Sequence, residues 1–198
     1  MLTAVQIHEA GAYVECLRLS LHERDIPAND RVRAAAGCLA IAQDHHHAIV
    51  LLLEHRLYAS SFSLIRVAFE AYVRGEWLAL CATDSQVQRF LKSEEPPKID
   101  RILTALEKIP SFKEQVLSKI KKHRWKAMCA YTHTGGLHVQ RWNTASGIEP
   151  NYSAEEVLEV LKFAEIIASL SVLGVVALMN DEPLANEVWA NFKMRVGI

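Results

Sequence analysis

Proline and glycine are sparse and clustered in this chain, and no stretch between them alternates polar and apolar residues as a strand would. The breaks therefore mark helix ends, and an all-α chain is expected. Three capping boxes, each a serine or threonine followed three residues later by glutamine or glutamate, sharpen the reading: Thr83 with Gln86, Ser111 with Glu114, Ser153 with Glu156.

A first helix runs from about Leu2 to Arg24, ahead of Pro27, and a second from the caps Asn29 and Asp30 to His55. Tyr58 to Ser61 turns into a third, ending near Ala82. Short helices follow, one from Thr83 to Ser93 and one from Pro96 and Pro97 to Lys108. Ser111 opens a basic helix reaching Ala130. Thr132 to Asn151, with three glycines and Pro150, reads as a long irregular loop before the apolar helix from Ser153 to Asn180. A last short helix covers Pro183 to Arg195, and neither a repeat nor a low-complexity segment is present.

At 198 residues the chain suits a single helical domain, 1–198, large enough to bury a core. With 22 basic against 23 acidic residues it cannot be a uniformly basic polyanion binder, so any nucleic-acid contact is local. Cys16, Cys38, Cys81 and Cys129 are too scattered for a metal or dithiol motif and read as reduced thiols. The N-terminus, interrupted by Glu9 and Glu15, lacks a secretory pattern, which points to the cytoplasm. Phe163 to Met179 is apolar but contains Glu165 and two serines, so a buried helix is favoured over a membrane span.

Two polar constellations exceed what folding needs. Arg66, Glu70 and Arg74 repeat every fourth residue and share one quadrant of helix three with Ala59, Ser63 and Trp77. Two readings stay open. Glu70 is the shared acceptor of a structural salt-bridge network, or the surplus arginine charge receives a carboxylate or phosphate with Trp77 as its wall. The second constellation is the cationic run Lys119, Lys121, Lys122, His123, Arg124, Lys126, leading into Tyr131, His133, Gly135, Gly136, His138, Arg141 and Trp142. It is either a solvated face or the one polyanion patch, with Lys126 and Arg124 holding phosphate. His133 or His138 could then serve as acid or base, and equally as a neutral loop histidine bonded to a carbonyl. Gly135 and Gly136 offer amides to an oxyanion or simply make a turn. Arg141 could cap a helix, pair with a carboxylate or join the anion site. His45, His46 and His47 point in three directions on a helix, so no metal site is expected, and no cofactor fingerprint is present.

The order Asp44, His45, His46, Ala48, Ile49, then Leu64, Arg66, Phe69, Glu70, Arg74, Trp77, then Tyr131, His133, Gly135, Gly136 resembles an uncharacterised bacterial helical family over roughly residues 30 to 180. That family is loosely similar to the HEPN-like domains of abortive-infection and toxin-antitoxin proteins. The similarity implies a HEPN-like helical bundle, a homodimer, and RNA or a cognate antitoxin protein as partner. It further implies a metal-independent ribonuclease acting through the RNA 2′-hydroxyl, or a non-catalytic interaction module. Catalytic members place four to six residues between an arginine and the histidine that follows it. Here that arginine is absent, and Lys126, with six intervening residues before His133, holds the spacing.

Overall fold

The computed structural model describes residues 2–197, and every regular element in them is helical. The long helices are α1 (Ala4–Leu21), α2 (Asp30–Glu54), α3 (Tyr58–Leu80), α6 (Val116–Thr132), α8 (Ala154–Met179) and α9 (Glu182–Val196); α4 (Asp84–Leu91), α5 (Ile99–Leu106) and α7 (Gly136–Gln140) are short. Local chemistry accounts for the starts of α1, α2, α4, α8 and α9. Thr83 with Gln86 and Ser153 with Glu156 form reciprocal capping boxes, as Thr3 does with Gln6 ahead of α1. Asn29 caps α2 by accepting from the Val32 amide, and Asp181 caps α9 by accepting from Leu184.

Four segments depart from the expectations. Tyr58–Ser61, expected as a turn, is already the first turn of α3, and α5 starts at Ile99 rather than at Pro96 and Pro97. The box at Ser111 does not form. Pro110–Phe112 is a single 3-10 turn, Gln115 adopts a left-handed conformation at φ 54°, and α6 begins at Val116. The cap comes from the preceding segment: Glu107 accepts from the Ser118 amide at 2.8 Å and from its hydroxyl at 2.7 Å. The region expected to be an irregular loop contains α7 and a tight turn closed by an antiparallel bridge between Asn143 and Ile148. Gly135 permits the fold-back. Its amide donates to the Ala130 carbonyl at 2.7 Å, and a Cβ there would lie 3.0 Å from Ala130 Cα.

The core centres on α3, which packs against α2, α8, α6 and α5. Phe69, Val73, Trp77 and Leu78 pack with Leu39 of α2 and with Ile102 and Leu106 of α5. Phe62 and Ile65 join Ile49, Met128, Tyr131 and Leu161 at the other end. A third cluster seats α9 through Leu184 and Val188 against Val172 and Val176 of α8 and Tyr13 of α1. By length and composition α8 could cross a membrane, yet 61% of its most apolar window is buried among its neighbours.

Candidate functional site

The charged quadrant of α3 faces α6, so Arg66 and the end of α6 meet. Glu70, whose side chain is 11% exposed, accepts from Arg66 Nε at 2.8 Å and from Arg74 Nη2 at 2.6 Å. The spacing of four places both guanidinium groups on one carboxylate, one turn before it and one after. Arg66 then reaches across the helix interface. Its Nη1 donates to His133 Nε2 at 2.5 Å, and its guanidinium carbon lies 4.8 Å from the centroid of the Trp125 ring. A guanidinium only donates, so Nε2 carries a lone pair in this arrangement and the ring proton sits on Nδ1.

Two reciprocal hydrogen bonds fix this register. Ser63 donates to the Tyr131 carbonyl at 3.0 Å, and Thr132 donates to the Ser63 carbonyl at 3.1 Å. They occupy the last turn of α6, where carbonyls lack helical partners, and they leave His133 as the exposed C-cap beside Arg66. Trp125 also takes the Lys121 ammonium 5.3 Å from its ring centroid, while that lysine bonds Asp100 at 2.7 Å.

At about 100° per residue, α6 carries three distinct faces. Lys121, Trp125 and Thr132 look toward α3. Lys119, Lys122 and Lys126 are exposed and lie in line with His133. Arg124 is about 200° away from Lys126 on this count, and it pairs with Glu159 of α8. It therefore does not share a phosphate with Lys126 and His133. Arg141 pairs with Glu156 at the start of α8, also away from Arg66. Tyr131 is buried, its ring edge-on to Phe62 and His138, and burial raises its hydroxyl above the usual phenol range. His138 is buried as well, and neither ring nitrogen is reached by solvent or hydrogen-bonded among the described residues. Gly135 spends its amide on Ala130, and Gly136 opens α7 in open space.

Trp77 does not wall Arg66. It lies about 16 Å further along the helix axis than Arg66, in the core and 4% exposed. Trp125 takes that place, and sequence reading passed over it inside a basic run. Its being the lone aromatic among those cations was the available signal. The histidines of α2 diverge: His45 is half-buried, His46 buried and His47 exposed. Burial holds His46 down to about 3. Among the described residues no three histidines, cysteines or carboxylates converge as metal ligands.

The arrangement defines an all-helical bundle with a cationic, histidine-bearing junction between its central helix and a basic partner helix. The chain belongs to a family of unknown function, DUF6988, which it matches over residues 39–194. No curated protein and no solved structure matches it significantly.

Proposed function

We propose that the chain is a HEPN-like RNA-binding protein of the toxin or phage-defence type, whose α3–α6 junction cleaves RNA without a metal. One observation carries the reading. Arg66 lies against His133 Nε2, so an arginine and a histidine share a site although neither has the family spacing in sequence. Lys122 and Lys126 extend that site as an exposed cationic line able to follow a phosphate backbone. An arriving phosphate draws the Arg66 Nη1 donor from His133 to its own oxygens, which frees the Nε2 lone pair. His133 then accepts the 2′-hydroxyl proton as the 2′-oxygen attacks phosphorus. The bond to the 5′-oxygen breaks with a proton from the Lys126 ammonium, leaving a 2′,3′-cyclic phosphate and a 5′-hydroxyl. In this reading the working form is a cytoplasmic homodimer, and a cognate antitoxin protein covers the cationic line.

The test is incubation of the purified protein with end-labelled single-stranded RNA in EDTA. Cleavage to cyclic-phosphate ends, lost in both His133→Ala and Arg66→Ala, is expected. Intact RNA with the wild-type protein would overturn the catalytic reading. A second reading, a non-catalytic interaction module, is favoured by Glu70, which is nearly buried and saturated by its two arginines. It predicts that Arg66→Ala lowers Tm or disrupts the oligomer, that His133→Ala changes neither, and that no RNA is cut.

A further inference from the structure

A crevice between α6 and α8 takes no part in the chemistry above. It encloses about 370 Å³, within the range of small-molecule sites. Phe62 of α3 forms its floor, with Met128 of α6 and Val160 and Phe163 of α8 as walls. All four are buried or half-buried, so the lining is mainly apolar, while the crevice itself is open to solvent. Charge is confined to the mouth. Arg124 and Glu159 both line the crevice and pair with one another, each more than half exposed, which ties α6 to α8 across the opening. Glu156 is taken by Arg141. Lys162, also at the mouth and exposed, has no ion partner among the described residues. Both carboxylates are therefore already matched by arginines, and the uncommitted charge is positive.

We propose that this crevice is a binding site for a small amphiphile with an apolar body and one anionic headgroup. The body lies among Phe62, Met128, Val160 and Phe163, and the headgroup meets Lys162. Burying the apolar walls drives binding, while the lysine sets the sign of the head. A cationic head would meet Lys162 and find no free carboxylate. A peptide helix would have to break the Arg124–Glu159 tie. Arg124 lies on the side of α6 away from Lys126 and His133, so the site stands whether or not the protein cuts RNA.

Decanoate, kept below its micellar concentration, is the probe, titrated calorimetrically into the full chain. One saturable site and a raised Tm are expected, and decyltrimethylammonium, of equal tail and opposite charge, should bind at least about tenfold more weakly. Lys162→Glu, an exposed substitution that the fold tolerates, should weaken decanoate by about tenfold. Lys162 also borders a neighbouring cavity toward α9, so Ala127→Phe, which fills the crevice from α6, separates the two and should abolish binding. Circular dichroism confirms that each variant is folded, and Val160→Met is the milder filling substitution should Ala127→Phe unfold. Absence of saturable decanoate binding, equal binding of the two headgroups, or binding unchanged in Lys162→Glu would overturn the assignment.

Discussion

Glu76 lies on the buried side of α3, 8% exposed, and its carboxyl reaches toward Gly174 of α8. Burial alone pushes it from 4.5 up to about 7. A carboxyl raised on folding holds its proton while the unfolded chain gives it up, so stability falls as pH rises from about 4.5 to about 7 and is level above that. The loss is on the order of 3 kcal/mol. Urea denaturation across pH 4 to 8 should show this decline for the wild type. Glu76→Gln should flatten it and be the more stable protein at pH 8. Glu70 differs in its partners, since each of its carboxylate oxygens accepts from an arginine. Glu70→Ala strands two arginines in a partly buried site and should cost about 3 kcal/mol, read as a fall in Tm. The two acids sit on one helix and look alike in sequence. Spacing distinguished Glu70, since arginines four residues away on either side can reach it. Glu76 has no such neighbours, and its environment is made by α2 and α8, which sequence proximity does not reveal. Trp125 escaped notice for a related reason: its partner Arg66 is 59 residues earlier in the chain.

At the scale of elements, most helices were legible because their caps are local. Ser153 accepts from the Glu156 amide at 3.1 Å, and Ser153→Ala should destabilise the protein by about 1 kcal/mol, measurable by denaturant titration. The start of α6 was not legible, since its cap is the Glu107 carboxylate, supplied from beyond the 3-10 turn. Likewise α7 has only five residues, too few for a periodic pattern. The crossing of α2 and α3 depends on Gly75. A Cβ there would stand 2.7 Å from Leu39 Cγ and 3.2 Å from the Ala35 carbonyl oxygen. Gly75→Ala should force the helices apart and cost about 1–3 kcal/mol, despite alanine's better helix propensity. A Tm that stays the same or rises would show that the crossing relaxes.

For the whole molecule, the sequence patterns led to a helical bundle, because helical periodicity and apolar content survive any arrangement. Which helices pair was hidden, since that rests on contacts between distant segments. The C-terminal helix shows it. Arg195 of α9 bonds Glu165 of α8 at 2.6 Å and lies 3.6 Å from Glu9 of α1, and Glu165 is 4% exposed. Tyr13 and Ser169 complete that polar seam with a hydrogen bond of 2.7 Å. Removing the cation leaves a buried carboxylate without its partner, so Arg195→Ala should lower stability by about 3–5 kcal/mol and loosen α9, seen as faster amide exchange there than in α3.

The central helix pairs first with α2, its neighbour in sequence, and again with α8, which the chain reaches only after α4 to α7 have been laid down. The α2–α3 hairpin can close early over a short turn, whereas α8 must return across the whole intervening excursion before its apolar face is covered. Damage within the hairpin should therefore slow folding, while damage to the α8–α9 seam should hasten unfolding and leave the folding rate nearly untouched. Until α8 arrives, the chain displays the apolar side of its most central helix to solvent, and that interval is when it is most exposed to self-association.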